Sequence, residues 1–191
     1  MAIKDEIKWN EKYKTTPRLL MQRDVSINLK EAITYAKIGL ALDVACGAGK
    51  NSVYLAKNGF EVESYDISQV ALDALNEKNY ENIRTFCKDL DGFEPSKNRY
   101  DFIVMTNFLD RELISKLVKG LKFNGVLFIE TYMHHDSNEK KSSNPDFLLS
   151  EGELKTFFSD EYEILDYSEF DNGKDELYKM RKQSIIVQKV K

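Results

Sequence analysis

The chain has 191 residues, of which 42% are hydrophobic, and this is enough for one domain with a complete hydrophobic core. Its net charge of -4 disfavours a dedicated nucleic-acid binder, and no apolar run approaches the length of a membrane span. Only two cysteines occur, Cys46 and Cys87, so no disulfide framework is predicted, and the first residues contain no signal-peptide core. We therefore expect one soluble, cytoplasmic domain over residues 1–191, a monomer or homodimer that binds neither nucleic acid nor membrane.

The residues before about position 38 precede the predicted sheet. Trp9 and Tyr13 are four residues apart, so on a helix they share one face. This pattern is typical of an amphipathic helix that is held to the core by its aromatic side chains. Pro17 ends the segment, and a second helix is predicted from about Asp24 to Lys37.

The stretch from Leu40 to Ser52 (LALDVACGAGKNS) predicts a strand, a glycine turn and the start of a helix. Its first part is an apolar run with a single acid, Asp43, which is typical of a strand buried on both faces. Gly47 and Gly49 allow a tight turn and the close approach of a ligand. The helix that follows offers free N–H groups at its N-terminus. The stretch therefore predicts a cradle for a ligand.

Three common ligands use such a turn, and the residues distinguish between them. A phosphate loop requires G-x4-G-K-[ST], but Val44 occupies the first glycine position and Asn51 follows Lys50. A dinucleotide fingerprint requires G-x-G-x-x-G, and its third glycine position is Ser52. S-adenosylmethionine (SAM) carries an ammonium group that suits Asp43, whereas the same acid would repel a pyrophosphate. The pattern favours SAM as the cofactor, and we predict no metal site.

The run from Asp43 to Gly49 (DVACGAG) resembles motif I of the class I SAM-dependent methyltransferases, D/E-x-G-x-G-x-G, with Ala45 in place of the first glycine. The longer run from Leu42 to Phe60 is similar to the small bacterial methyltransferases of the tellurite-resistance type. This resemblance covers about residues 9–170 and is strongest in the cofactor half. It implies methyl transfer from SAM, with S-adenosylhomocysteine as the product. It also implies an α/β fold with a Rossmann-like sheet, mostly parallel, with an antiparallel C-terminal strand and helices on both faces.

The resemblance further implies that residues 1–38 form a helical lid over the cofactor and that residues 39–191 form the Rossmann-like core. Arg18, beyond the lid helix, could then reach the SAM carboxylate. A side chain at Gly47 or Gly49 would occupy the space that the methionine moiety needs. The predicted cofactor-binding residues are Tyr13, Arg18, Asp43, Ala45, Gly47, Gly49, Asn51, Asp66, Ile67, Asp89, Leu90 and Thr106.

Acids also follow the second and third predicted strands, at about 60–66 and 82–87. Asp66 lies 19 residues after Gly47, near the spacing of the acid that binds a ribose, although it could instead cap the next helix. As a ribose ligand it would face the cleft, so its replacement should hardly change stability without ligand. Asp89 and Leu90 resemble the family's adenine clamp, or form an ordinary turn, and Ile67 would pack on the adenine.

The second half of the chain continues the alternation of strands and helices, which predicts a parallel sheet covered on both faces. A strand over 100–105 is followed by a helix that Asp110 caps and that Asn124-Gly125 stops. Further strands are predicted over 126–131, 162–170 and 179–189, with a capping box at Ser150-Glu-Gly-Glu153 between them.

Ligands of such sheets bind beyond the C-terminal ends of the strands. The candidate catalytic or acceptor-binding residues at that edge are Asn107, Tyr132, His134, His135 and Arg181. The two histidines could equally be solvated residues of a mobile loop over 135–144. The basic cluster of Lys179, Arg181 and Lys182 is either a solvated face or an anion site. Successive side chains of a strand point to opposite faces of the sheet. We therefore expect Arg181 to be needed for activity and Lys182 not to be.

The predicted function is methyl transfer to a small-molecule acceptor, with a soft or anionic nucleophile favoured. Two other classes stay open. A SAM-binding module without transferase activity would bind SAM by calorimetry and show no turnover. A nicotinamide oxidoreductase, disfavoured by Asp43 and Ser52, would bind NADH.

Overall fold

The computed structural model describes residues 2–140, 144–173, 176 and 178–191. Seven strands form one sheet in the order β3-β2-β1-β4-β5-β7-β6. The strands are β1 Leu40–Val44, β2 Glu61–Asp66, β3 Ile83–Cys87, β4 Tyr100–Thr106, β5 Leu121–Tyr132, β6 Tyr162–Asp171 and β7 Arg181–Lys189. Strands β1 to β5 pair in parallel, and β7 runs antiparallel between β5 and β6. This confirms the predicted α/β sheet with its antiparallel C-terminal strand.

Five α-helices and four short 3-10 helices accompany the sheet in the described residues. The α-helices are α1 Ala2–Thr15, α2 Ile27–Ala32, α3 Lys50–Lys57, α4 Gln69–Asn76 and α5 Arg111–Gly120. Alternate residues of each strand face two separate cores, as the pleat of a strand requires. Leu42 and Ile103 pack with α5, whereas Ala41 and Phe102 pack with α2 and α3 on the opposite face. The helices therefore lie on both faces of the sheet, as predicted.

Two predicted helix boundaries are wrong. The helix predicted over 24–37 is confined to α2, which begins after Ser26, whose hydroxyl accepts a hydrogen bond from the N–H of Leu29 (3.2 Å). The chain then continues as a 3-10 helix, Ile33–Tyr35. Helix α5 ends at Gly120 rather than at Asn124, because Leu121 already pairs with Tyr100 at the start of β4. The N–H groups of residues 98 and 99 bind the last two helical carbonyls, so the helix ends there with its acceptors satisfied.

The segment between β5 and β6 is largely irregular. Part of the loop predicted over 135–144, residues 141–143, lies outside the described residues. Glu153 accepts a hydrogen bond from the N–H of Ser150 (2.8 Å), as a capping box requires, but the helix that follows is a 3-10 helix, Glu153–Phe157. Within the described part of the chain, no helix combines the length and the hydrophobicity needed to cross a bilayer.

Candidate functional site

The turn after β1 adopts the backbone conformation that glycine favours. Gly47 and Gly49 have φ values of 54° and 75°, and Ala45 has a φ of 53°. Ala45 stands at a position where the motif I pattern has glycine, so the turn keeps its geometry without the residue that adopts it most easily. A non-glycine residue in this left-handed region costs about 1–2 kcal/mol. Strain of this kind is typical of a ligand-binding turn.

Asp43, near the end of β1, is 1% exposed and lies beside this turn. Its Oδ2 accepts a hydrogen bond from the hydroxyl of Ser52 (2.6 Å), which itself accepts from the hydroxyl of Ser64 (2.9 Å). Its Oδ1 is buried and has no hydrogen-bond partner among the described residues. Burial raises the pKa of Asp43 to about 7. An unpaired buried carboxylate oxygen is costly, and a ligand cation would satisfy it.

Asp66, at the end of β2, holds the turn to the sheet. Its Oδ2 accepts from the N–H of Gly47 (2.7 Å) and its Oδ1 from the N–H of Ser68 (2.8 Å). Ser68 in turn caps α4, since its hydroxyl accepts from the N–H of Ala71 (3.3 Å). Two backbone donors depend on Asp66, which argues against the expectation that its replacement would hardly change stability. Each oxygen retains a second lone pair, so a role at a ribose stays a prediction.

Helix α1 lies against this turn and against α4. The Asn10 Oδ1 accepts from the Ser68 hydroxyl (2.8 Å) and from the N–H of Val70 (3.2 Å), which docks the helix on the first turn of α4. The Tyr13 hydroxyl lies so close to Gly47 that a Cβ on the glycine would collide with it. Burial, followed by the nearby charge of Asp66, raises the pKa of Tyr13. A helix thus exists where it was predicted and contacts the glycine turn, while its role as a lid over the cofactor stays a prediction.

At Gly47 and at Gly49, neighbouring protein atoms leave no room for a side chain, whether or not a ligand is bound. A Cβ on Gly49 would collide with the side chain of Leu75, which belongs to a buried cluster beneath α4. A side chain at Gly49 would therefore meet Leu75 and a φ of 75° that favours glycine, and its effect on cofactor binding stays a prediction. Gly47 faces Tyr13 instead, so a side chain there would disturb the contact between α1 and the turn.

The residues proposed for the adenine follow β2 and β3. Asp89 is half-buried and its Oδ1 accepts from the N–H of Asp91 (2.9 Å), as in an ordinary turn. Leu90 is buried in the core on the α5 side of the sheet. Ile67 is half-buried, and its carbonyl lies 3.5 Å from the Cys87 sulfur. The adenine clamp stays a prediction.

At the ends of β4 and β5, polar side chains form a second group. The Asn51 amide donates to the Thr106 hydroxyl (2.8 Å), which links α3 to β4. Asn107 has a φ of 55°, and its Oδ1 accepts from Lys182 Nζ (2.8 Å). The Lys182 Nζ also lies 3.3 Å from a Glu130 carboxylate oxygen and 4.8 Å from the centre of the Tyr132 ring. This group therefore extends from the predicted cofactor residues Asn51 and Thr106 to Lys182 on β7.

The two neighbouring cations on β7 point to opposite faces of the sheet, as the alternation of strand residues predicts. Lys182 is 4% exposed and lies on the face of the sheet that carries Asn107 and Glu130. Arg181 points to the other face, where it lies 3.7 Å from the Asp171 carboxylate. The expectation that Arg181 and not Lys182 belongs to the acceptor site stays a prediction.

The two histidines do not join this group in the structure. His134 and His135 are both exposed. The His135 Nδ1 lies 2.7 Å from the Ser137 hydroxyl and accepts from its N–H, so this ring closes a turn within its own loop. This is the solvated arrangement that the sequence left open. A catalytic role for either histidine has no contact to support it here.

An arginine that the sequence analysis did not select lies in this region. Arg23 is half-buried, and its Nε is buried without a hydrogen-bond partner among the described residues. Its positive charge opposes the rise in the pKa of Tyr13 and of Tyr132 and adds to the lowering of the pKa of Lys50. Arg18, which was selected, is exposed on the 3-10 helix Pro17–Leu19. Arg23 follows that helix in an irregular segment, and no sequence motif marks it.

Comparisons with known proteins agree with this arrangement. The sequence profile of the family described as tellurite resistance protein TehB matches residues 1–187. A probable S-adenosyl-L-methionine-dependent methyltransferase TehB from Haemophilus influenzae is 33% identical over 177 residues, which cover 87% of this chain and 58% of that protein. The crystal structure of TehB from Haemophilus influenzae superposes with a TM-score of 0.70 at 27% identity, over 96% of this chain and 66% of that chain.

A third relative belongs to a different named activity. The ribosomal RNA small subunit methyltransferase C of Alcanivorax borkumensis is 32% identical over 110 residues, which cover 52% of this chain and 34% of that protein. The chain thus spans little more than half the length of the first of these relatives, and about a third of the last. Both of these curated relatives are named as methyltransferases, and only the second name states an acceptor, ribosomal RNA.

Proposed function

From the premise that the chain belongs to the TehB tellurite resistance protein family, we propose that it binds SAM at the turn after β1 and transfers the methyl group to a small acceptor. Membership of this family confirms the resemblance found in the run from Asp43 to Gly49. The observation that carries the proposal is the unpaired, buried Oδ1 of Asp43 beside a strained glycine turn. A SAM ammonium would supply the missing partner.

The residues around the turn fit the rest of the cofactor. Asp66 would accept from the ribose hydroxyls with its free lone pairs, while its existing bonds fix the turn. Ile67 and Leu90 would flank the adenine, with Asp89 at its amine. Tyr13 and one of the arginines near the lid, Arg18 or Arg23, would contact the methionine carboxylate. SAM would supply an activated methyl group on its sulfonium.

This chain's part in the reaction is to align the acceptor with the S–CH3 bond and to exclude water. Tyr13 of helix α1 lies against Gly47 and Asn10 holds the helix to the first turn of α4, so this helix would shield the reacting atoms. Orientation of this kind can lower a barrier by roughly 7–11 kcal/mol. A nucleophile that arrives deprotonated needs no general base, which agrees with the exposure of both histidines.

A small acceptor is supported by the modest size of the described elements around the strand ends. They are the 14-residue helix α1 and the connection from β5 to β6, whose described residues, 133–140 and 144–161, form only the two 3-10 helices Pro145–Phe147 and Glu153–Phe157. Two unpaired thiols, Cys46 and Cys87, further support a reducing, cytoplasmic setting. We therefore place the reaction there and assign the whole of residues 1–191 to one methyltransferase domain.

The test uses calorimetry and a transfer assay on the same preparation. SAM and S-adenosylhomocysteine should both bind, and NADH should not. Methyl-labelled SAM is then incubated with tellurite, a thiol, an amine, a carboxylate and bulk ribosomal RNA. Label in a small acceptor supports the proposal. Label confined to RNA would refute the acceptor class, and cofactor binding without transfer to any acceptor would favour the SAM-binding module.

A further inference from the structure

We propose that Ser52 and Ser64 are positioning residues of the cofactor site, because their hydroxyls donate in series to Oδ2 of Asp43 and leave Oδ1 as the atom that binds the cofactor's ammonium group. This inference rests on the proposed function, since it explains how the chain prepares the acid that would bind SAM. Neither serine is among the predicted cofactor-binding residues.

The sheet and helix α3 bring the three side chains together. Asp43 and Ser64 are direct partners in the parallel pairing of β1 with β2, so their side chains lie on the same face of the sheet. Ser52 belongs to the first turn of α3, which packs on that face. All three residues are at most 1% exposed. Because water does not reach the group, each hydroxyl must find its partner within it.

The hydrogen bonds of this chain run in one direction. Ser64 donates to Ser52 (2.9 Å), and Ser52 donates to Oδ2 of Asp43 (2.6 Å). A hydroxyl has a single proton to donate, so a proton on Oδ2 would reverse the chain and require Ser64 to donate elsewhere. The described residues offer the Ser64 hydroxyl no other acceptor. Oδ2 is therefore kept as an acceptor, and a proton on Asp43 must sit on Oδ1.

The second carboxylate oxygen, Oδ1, is the atom at which proton and ligand compete. It is buried and has no hydrogen-bond partner among the described residues. Either a proton or a ligand cation would remove the cost of leaving it unpaired. Since both would occupy the same side of Asp43, the affinity for an ammonium group should rise as the pH rises through the pKa of this acid.

The charged and titratable groups around Asp43 come from three directions. Burial raises the pKa of Asp43 to about 7, the charge of Asp66 at the end of β2 adds to the rise, and the charge of Lys50 on α3 opposes it. Cys46 in the turn keeps its proton, because burial and then the charges of Asp43 and Asp66 raise its pKa. On β4 the partner of Asp43 is Val104, which is buried and apolar.

The Ser52 hydrogen bond stabilises the ionised form of the acid in this setting. After burial, it is the next largest influence on the pKa of Asp43, and it lowers that pKa. Ser64 acts through Ser52, because a hydroxyl that accepts a hydrogen bond is a stronger donor. Loss of either hydroxyl should therefore make Asp43 keep its proton to a higher pH, and the loss of Ser52 should have the larger effect.

The experiment measures the affinity for SAM by calorimetry at steps from pH 5.5 to pH 8.5. The variants are Ser52→Ala, Ser52→Cys, Ser64→Ala and Asp43→Asn. Ser184→Ala is the matched control, because it removes another strand hydroxyl that is 1% exposed and bonds to Asn28 rather than to Asp43. Each variant is compared with the wild type at the same pH, so the titration of the ligand's own ammonium cancels. A second probe is 5′-methylthioadenosine, which has the nucleoside and the sulfur but no ammonium.

We expect Ser52→Ala to weaken SAM binding about tenfold at pH 5.5 and by no more than about twofold at pH 8.5, as a rise of about one unit in the pKa of Asp43 requires. Ser52→Cys, which keeps a weaker donor, and Ser64→Ala should show the same trend with a smaller loss. Asp43→Asn should bind weakly and lack the rise of affinity with pH. Ser184→Ala should match the wild type at each pH, and 5′-methylthioadenosine should bind every variant alike.

A loss that is the same at every pH, or one that Ser184→Ala shares, would overturn the inference, because the serines would then be merely structural. A pH profile that Asp43→Asn leaves unchanged would also overturn it. If Ser52→Ala does not fold, Ser52→Cys and Ser64→Ala provide the same comparison. Failure of the wild type to bind SAM at any pH would instead refute the proposed function.

Discussion

Replacement of Asp43 by asparagine should reduce the loss in the free energy of unfolding as the pH rises from about 4 to about 7. In the folded chain, burial raises the pKa of Asp43 from its ordinary value of 3.8 to about 7. The folded state therefore holds this proton more tightly than the unfolded state does. By linkage, the contribution of Asp43 to stability is fully present below about pH 4 and is lost as the pH rises to about 7.

The magnitude follows from the size of the shift. One pKa unit corresponds to about 1.4 kcal/mol, so a shift of roughly three units sets an upper limit of about 4 kcal/mol on this loss. Asparagine does not titrate, keeps an acceptor for the Ser52 hydroxyl and removes the buried charge. The difference in unfolding free energy, variant minus wild type, should therefore grow between pH 4.5 and pH 7.5 and then stay level.

Urea unfolding followed by circular dichroism at pH 4.5, 6.0 and 7.5 measures this difference. Asp5→Asn, an exposed acid on α1, is the matched control and should show no comparable trend. A constant difference between Asp43→Asn and the wild type at all three pH values would refute the reasoning. SAM binding at pH 6.5 should release protons, because its ammonium favours the ionised carboxylate, and calorimetry in buffers of different ionisation enthalpy detects this.

Three other replacements probe the turn and the lid. Asp66→Ala should lower the free energy of unfolding by about 2–4 kcal/mol, since the N–H groups of Gly47 and Ser68 each lose an acceptor, and it should also weaken SAM binding; an unchanged urea midpoint would contradict the assignment. Ala45→Gly should raise the unfolding free energy by up to about 1 kcal/mol, because it relieves a left-handed φ that costs an L-residue about 1–2 kcal/mol, less the entropy of glycine. The same urea titration tests it, and a loss of stability would show that the turn is not strained. Asn10→Ala should loosen α1, speed hydrogen exchange of its amides and raise the SAM dissociation rate in stopped-flow experiments; equal rates would exclude α1 as a lid.

The sheet and the first half of the site could be predicted because their signals are local. Strands β1 and β4 are short, mostly apolar runs, and strand ends in a parallel sheet meet at one edge, so Asp43 and Thr106 could both be placed at that edge before any contact was known. The strain at Ala45 could also have been expected, since the motif I pattern has glycine there. Local patterns of this kind need no knowledge of the register between distant strands.

The polar group around Lys182 depends on pairings between distant segments, which no local pattern contains. Lys182 meets Glu130 across 52 residues and Asn107 across 75, and a register shifted by one residue would have exchanged it with Arg181. Arg23 lies in an irregular segment, where periodicity gives no orientation. The end of α5 was misplaced for a similar reason, because the pairing of Leu121 with Tyr100, and not the Asn-Gly pair, ends the helix.

The place of β7 in the sheet affects the order in which the molecule can be completed during synthesis. Strands β1 to β5 can pair as they leave the ribosome, but β6 has no neighbour until β7, the later strand, inserts between it and β5. Until then the apolar edge of β5, from Val126 to Ile129, is open to pairing with another chain. Because Lys182 is carried by β7, a nascent chain could complete its glycine turn well before the polar network with Glu130 exists. A cofactor that binds the unfinished chain would then stabilise the part of the fold that forms first.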